Sequence, residues 1–396
     1  MTSTNKEKEA KRKYNNIPNK TKINEMKFTI SKKAINKSLK NANAIVGNEN
    51  DINLVLSSIH FNVKNGTVIL TATNGNNSFR QTIKDVKTDE DGCFLVKAKF
   101  IYNIISKIEE KEIEFNQIDT NILQIKTINF SCVINLIEKY SFPLIDFDFS
   151  NWKKIILKKE NVDNIVKKLI MFLPTAFDDR FNCINGVLFN CLDDDYLECI
   201  TTNRIVVGYY KFKYFGDKIK IVIDAQSIKV VNDVFSNQTN INVEVYTNNK
   251  KVIFKFENIL LSFSLYDNNY PQITDKILAK QNYHFTIETN KLLKALNRGS
   301  LFVANDPKPI ANFVISDKTL DIKFNSIEIG NSFEEINFIE KNIGFIEIKL
   351  NQKMISQIIS TIDSTKVTFN CNGKNLPIII TTENKNFVNL IMPFSN

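Results

Sequence analysis

One pattern recurs three times along the chain: a short alternating strand, a polar step, then a helix whose apolar residues fall three and four apart. The segments are K-F-T-I-S-K-K-A-I-N-K-S-L-K from Lys27, K-I-I-L-K-K-E-N-V-D-N-I-V-K-K-L-I from Lys154 and H-F-T-I-E-T-N-K-L-L-K-A-L-N-R from His284. A second trio with the same grammar follows at a similar distance from each. These are F-L-V-K-A-K-F-I-Y-N-I-I-S-K-I from Phe94, I-V-I-D-A-Q-S-I-K-V-V-N-D-V-F from Ile221 and F-I-E-I-K-L-N-Q-K-M-I-S-Q-I-I from Phe345. The period of roughly 125–130 residues is far longer than a solenoid repeat and matches a whole domain.

Three copies of one small α+β domain are therefore expected, over residues 26–150, 151–279 and 280–396. Between the helices lie strand pairs joined by turn chemistry, with an Asn65-Gly66 hairpin signal and a D-D-D turn at Asp193–Asp195. Each copy thus offers two helices against antiparallel sheets, an α+β layer. Residues 1–25 carry almost no apolar side chain, so burial cannot offset their ordering entropy, and a disordered basic leader is expected.

The 396 residues include 43% hydrophobic and 24% charged positions, the balance of a globular chain with several cores. No apolar run approaches the length of about 18 residues that a spanning helix needs, so no membrane partner is expected. The opening M-T-S-T-N-K-E-K-E-A-K-R-K-Y lacks an apolar signal core, which points to the cytoplasm. The six cysteines fall singly in strand-like stretches without C-x-x-C spacing, so buried reduced thiols are expected rather than a zinc site. His60 and His284 sit in alternating stretches and read as structural.

No catalytic chemistry is legible. P-loop, G-x-S-x-G and H-E-x-x-H patterns are absent, and the carboxylates Asp178-Asp179 and Asp193-Asp194-Asp195 accompany turn residues and read as solvated loops. Catalytic residues, metal ligands and cofactors are accordingly none.

The helices carry a recurrent charge pattern. Ile35 and Leu39 mark a buried stripe with Lys33, Lys37 and Lys40 off it. Val162, Ile165, Val166 and Leu169 are set against Lys167 and Lys168, and Leu292, Leu293 and Leu296 against Lys291, Lys294 and Arg298. Lys99, Lys107, Lys229 and Lys353 add cations on the second helices. One basic helix face is ordinarily a solvated face; its recurrence in every copy, with a formal net charge of +9, favours salt-sensitive, sequence-independent contact with phosphates.

Five motifs in register, M-K-F-T-I-S-K at Met26, N-G-V-L-F at Asn185, T-T-N-R-I at Thr201, L-Y-D-N-N-Y-P at Leu265 and L-I-M-P-F from Leu390, resemble those of the DNA polymerase III beta subunit, the bacterial sliding clamp family. The resemblance runs from Met26 onward. It implies three clamp domains per chain and a head-to-tail homodimer closed into a ring. Lys33, Lys37, Lys40, Lys99, Lys167, Lys168, Lys229, Lys291, Lys294, Arg298 and Lys353 would then face a threaded double-stranded DNA. Phe130, Leu292 and Leu293 are the candidates for apolar contacts at the seam, with ordinary core packing as the other account.

The resemblance also implies a groove for short peptides of the DNA polymerase III alpha subunit, the clamp loader and other replication and repair proteins bearing a clamp-binding motif. By position it would draw on Arg180, Ile184, Thr201, Arg204, Ile205, Pro271, Met354, Leu390, Met392, Pro393 and Phe394. Departures from the family pattern are plain. The T-T-N-R loop is one residue short and lacks the family's His and Asp, Asn268 stands for a glycine, and Ser395-Asn396 end the chain where a basic residue often sits. The implied function is a non-catalytic processivity factor; the alternative is a monomeric DNA-binding or scaffold module without ring closure.

Overall fold

The structure is a computed structural model that describes residues 26–47, 54–138, 142–192, 195–236 and 241–394. The leader, most of the D-D-D turn and Ser395-Asn396 lie outside these. The described chain divides into two compact units, one formed by residues up to 147 with 257–262, the other by 148–256 with 263 onward.

Seven α-helices are described: α1 (Lys32–Asn43), α2 (Ala98–Lys107), α3 (Lys159–Lys168), α4 (Ala225–Ser236), the single turn α5 (Thr274–Ile277), α6 (Thr289–Val303) and α7 (Gln352–Ser360). The six strand-to-helix segments found in the sequence are all present, in closer form than expected. Each strand enters its helix directly, and in three of the six a polar side chain caps the first turn. Ser31 Oγ accepts from the Ala34 amide at 3.3 Å and Asn351 Oδ1 from the Met354 amide at 3.1 Å. Asp224 Oδ2 accepts from the Ser227 amide at 2.9 Å. Each such bond satisfies an amide that the helix start leaves orphaned.

In the first unit a five-stranded antiparallel sheet runs in the order Lys87–Glu90, Lys27–Ser31, Glu112–Asp119, Ile122–Lys126, Ser131–Asn135. A second sheet pairs Ser78–Ile83, Thr67–Thr73, Ser58–Lys64 and Gly92–Lys97, with Ile259–Ser262 beside Ser78–Gln81. The expected hairpin at Asn65-Gly66 is there, with φ of 49° and 71°, the left-handed pair that a two-residue turn of this hand requires. Helices α1 and α2 pack together and bury Ile35, Leu39, Ile101 and Ile105.

In the second unit Phe215–Gly216, Lys153–Lys158, Asn242–Thr247 and Lys251–Lys255 pair in that order, and a four-stranded sheet runs Gly330–Asn337, Thr319–Ser326, Ile310–Ile315, Ile346–Asn351. A nine-stranded sheet runs Lys220–Asp224, Gly186–Cys191, Tyr196–Thr202, Val206–Lys213, Phe387–Ile391, Ile378–Thr381, Lys366–Cys371, Tyr283–Glu288, Glu340–Asn342. The strand Phe387–Ile391 is therefore internal to its sheet. It pairs Val206↔Ile391 through Tyr210↔Phe387 on one side and Ile378↔Ile391 through Thr381↔Val388 on the other.

All six cysteines are free, and only Cys183, Cys199 and Cys371 are buried; Cys93, Cys132 and Cys191 are half-buried, short of the burial expected. Among the described residues no three His, Cys, Asp or Glu side chains cluster as metal ligands, and no helix is long and apolar enough to cross a membrane.

Candidate peptide groove and basic helix faces

The hairpin from Tyr196–Thr202 into Val206–Lys213 turns in three residues. Thr202 Oγ1 accepts from the Arg204 amide at 3.0 Å and donates to the Val206 carbonyl at 2.8 Å, while Asn203 Oδ1 accepts from the amides of Ile205 and Val206. These bonds hold Arg204 in the left-handed region at φ 75°, a conformation that costs a non-glycine residue about 1–2 kcal/mol. The shortened T-T-N-R loop is thus a tight turn that projects the Arg204 side chain.

Its guanidinium is already engaged. Arg204 Nη2 donates to Asp178 Oδ2 at 2.5 Å, and the guanidinium carbon sits 4.5 Å from the centre of the Phe181 ring. Asp178 is fixed in turn, because its Oδ1 accepts from the amides of Arg180 and Phe181 and its own amide donates to Asn185 Oδ1. Residues 178–185 and the 202–206 turn are therefore linked by a latch of charge and aromatic contact.

Beside this latch opens a cavity of about 660 Å³, within the range of small-ligand and peptide sites. Its apolar walls come from Phe181, Ile184 and Val207, from Pro271 and Ile273, from Leu376 and Pro377, and from Leu390 and Met392 at the end of the chain. The floor is a packed cluster that includes Cys183, Ile184, Val207, Tyr270 and Leu390. Burial pushes the Tyr270 phenol well up and raises the Cys183 thiol, so both stay neutral; Tyr270 donates to the Ile200 carbonyl at 3.3 Å. The site can hold apolar side chains.

Of the expected groove residues, Ile184, Arg204, Pro271, Leu390 and Met392 line this cavity together. Thr201 does not. It is fully buried with Oγ1 donating to the Leu169 carbonyl at 2.9 Å, and the alternation of the strand puts its neighbour Thr202 on the cavity instead. Met354, on α7, is half-buried against the core of that region. Phe394 lines a separate cavity of about 320 Å³ with Phe345, Lys349 and Lys374, its amide donating to the Lys349 carbonyl at 2.9 Å. Arg180, Ile205 and Pro393 flank lining residues without lining the cavity; the Ile205 carbonyl accepts from the Met392 amide at 2.8 Å and so ties the tail to the turn. Phe181, Thr202, Lys276, Leu376 and Pro377 were not anticipated, since only the fold brings their loops to one place.

On the helices, Lys33, Lys40, Lys99, Lys167, Lys229, Lys291, Lys294 and Lys353 are exposed and Lys37 is half-exposed. Two cations depart from the expectation. Lys168 is drawn into an ion pair with Asp363 at 2.6 Å. Arg298 grips Glu334 through Nε and Nη2, which donate to its two carboxylate oxygens at 2.7 and 2.5 Å. The i, i+3 pair of Lys291 with Glu288 at 3.0 Å leaves Lys291 on the surface.

One seam candidate is corrected as well. Leu292 is 0% exposed on the inward stripe of α6, whereas Leu293 is half-buried at the margin of the same core. The exposed apolar residue of that helix is Leu301, at 72%. Phe130 is exposed as expected, beside the outer strand Ser131–Asn135.

These features define a modular α+β protein: repeated helix pairs on antiparallel sheets, with basic helix surfaces and an apolar peptide-sized cavity. The model of the DNA polymerase III beta subunit N-terminal domain matches residues 26–146 and that of its C-terminal domain residues 276–395, together more than half of the chain. The chain belongs to the DNA polymerase III beta subunit family. The beta sliding clamp of Mycoplasma capricolum is 22% identical over 366 residues, 90% of this chain and 95% of that protein; that of Mycoplasma genitalium is 23% identical over 375 residues, 91% and 97%. Among solved structures, the beta chain of DNA polymerase III from Streptococcus pneumoniae superposes with a TM-score of 0.87 at 21% identity, covering 94% of this chain and all of that one. A sliding clamp from Bartonella birtlesii, bound to griselimycin, gives 0.85 at 18% identity with 94% and 100% coverage.

Proposed function

We propose that the chain is a processivity factor: two copies close head to tail into a ring around double-stranded DNA, and the cavity at Ile184, Val207 and Leu390 tethers the replicative polymerase. The observation that carries this reading is the cavity itself. A strand internal to a nine-stranded sheet carries Leu390 to the cavity, and the exposed Met392 just beyond it completes an apolar wall with Ile184 and Pro271. The Bartonella relative, which has the same fold, binds griselimycin.

In this reading the chain has three domains, residues 26–150, 151–279 and 280–396, each with two of the strand-to-helix units. Lys33, Lys37, Lys40, Lys99, Lys167, Lys229, Lys291, Lys294 and Lys353 contact phosphates loosely, which permits sliding. The partners are duplex DNA, a second copy, the polymerase alpha subunit, the clamp loader and other clamp-binding proteins in the cytoplasm. The chain itself catalyses nothing; its service is topological.

The seam is proposed between the outer strand Ser131–Asn135, which carries the exposed Val133 and follows the exposed Ile128 and Phe130, and the outer strand Gly330–Asn337, which carries Phe333 and packs on the helix of Leu301. Unpaired strand edges with apolar neighbours are liabilities unless something covers them. The test is retention: protein placed on nicked circular plasmid by the clamp loader is expected to survive a high-salt wash and to run off after linearisation. Equal loss from both forms overturns the ring and favours a monomeric DNA-binding module.

A further inference from the structure

Two consecutive residues seat α6 on its sheet. A side chain at Gly299 would run into the ring of Phe324, which is fully buried on the strand Thr319–Ser326, so the helix backbone lies directly on that ring. Arg298, one step earlier, donates through Nε and Nη2 to the two carboxylate oxygens of Glu334 at 2.7 and 2.5 Å. Glu334 belongs to Gly330–Asn337, an outer strand that is paired on one side only among the described residues. Its side chain is 17% exposed, on the strand face that also carries the buried Ile336 and turns toward α6. The neighbouring Phe333 points to the opposite face and is 55% exposed, and Leu301, about one helical turn on from Arg298, is 72% exposed. The fork thus ties together the two elements that carry the apolar candidates for this side of the seam.

We infer that Arg298 is a positioning residue for the second copy: by holding the strand Gly330–Asn337 against α6, it sets Leu301 and Phe333 in the arrangement that the partner's edge meets. This rests on the seam proposed above and assigns one of its determinants. An edge strand has ladder hydrogen bonds on one side alone, so its spacing from the helix depends on side-chain contacts. Freedom left in that strand would be lost at the moment of association, and a bidentate guanidinium–carboxylate pair removes it beforehand. The same fork withholds Arg298 from phosphates, although Lys291 and Lys294 of the same helix are exposed, because its charge is matched at two oxygens. A partly exposed pair is worth only about three-fold at one seam, but a head-to-tail dimer closes with two, so the expected loss in dimer Kd is about ten-fold.

The test measures the dimer Kd of the full-length protein by sedimentation equilibrium. Arg298→Met and the isosteric Glu334→Gln are each expected to weaken the dimer about ten-fold, and Arg298→Lys, which keeps the charge and loses the fork, to fall between. A role that acts through Leu301 predicts coupling: in a Leu301→Ala background the further effect of Arg298→Met should shrink to within about two-fold, whereas a merely structural role costs the same in both backgrounds. Titration of a labelled short duplex supplies the contrast, because Arg298→Met should leave the slope of log K against log salt unchanged and Lys294→Ala should reduce it by about 0.9. An unaltered dimer Kd in both Arg298→Met and Glu334→Gln, an equal loss with and without the Leu301 side chain, or a slope that falls by about 0.9 in Arg298→Met overturns the assignment. An unaltered protein that stays monomeric at every concentration strikes instead at the ring reading on which it rests.

Discussion

Lys168 Nζ lies 2.6 Å from Asp363 Oδ2 and 4.4 Å from the centre of the Phe387 ring, although its neighbour Lys167 projects into solvent. Phe387 in turn stacks on Tyr210 at 4.1 Å, and the Tyr210 hydroxyl accepts from Asn161 and Asn164 of α3. The end of α3, the strand that carries Leu390 and the loop after α7 are therefore held by one continuous set of polar and aromatic contacts. Lys168→Met removes the ion pair and the cation–π contact, and is expected to cost about 1–2 kcal/mol, a fall of roughly 2–4 °C in Tm by calorimetry. Lys168→Arg should restore most of it.

A sharper contrast follows for DNA. Lys167→Ala is expected to lower affinity for a short duplex and to reduce the slope of log K against log salt by about 0.9, the increment for one phosphate that is no longer neutralised. Lys168→Ala should leave that slope unchanged, because its ammonium is already committed to Asp363. Titrations of labelled duplex between low and moderate salt check both.

Glu244 supplies a pH dependence. Lys154 bonds to its carboxylate, Lys255 lies 3.0 Å from its other oxygen and the Tyr246 hydroxyl donates at 3.1 Å, which together hold its pKa at about 2. A carboxyl depressed in the folded state from an ordinary value of 4.5 contributes stability that is full above about pH 4.5 and lost as pH falls toward 2. The side chain is a third exposed, so screening limits the contribution to about 1 kcal/mol. Glu244→Gln is expected to flatten the stability profile in that window, read as urea midpoints from pH 2 to 6.

The repeat was legible because strand and helix periodicities are local, and Ile35, Ile165 and Leu296 fell where their spacing put them, at the cores of their helices. The tail was legible for the same reason: an apolar run at Leu390 needs a partner strand. What could not be read was pairing across distance. The partners of Lys168 and Arg298 lie 195 and 36 residues away, and no period in either helix encodes them. Thr201 was misassigned by one residue, and in a strand a single step exchanges one face for the other. Lys276 escaped notice because its turn has neither strand nor helix periodicity.

The groove wall can be probed without touching the core. Met392 is exposed and lines the cavity, whereas Leu390 is buried. Met392→Ala should therefore weaken a polymerase-derived peptide by about ten-fold while moving Tm by no more than about 1 °C. Deleting 390–396 would remove the last two residues of a five-residue strand that pairs on both sides, so its effect on binding would be confounded with unfolding. Unchanged affinity in Met392→Ala separates the tail from the site.

The seam is testable in the same way, since α6 carries leucines of both kinds. Leu301 is exposed and Leu292 is in the core, so the two should fail differently. Leu301→Asp places a charge where an apolar partner surface is proposed and is expected to give monomers of unchanged Tm in light scattering at micromolar concentration. Phe130→Asp, on the other proposed edge, should do the same. Leu292→Ala instead opens a cavity costing about 2–4 kcal/mol, lowering Tm whether or not the ring forms. Dimers that persist in both aspartate variants would remove these two edges from the seam.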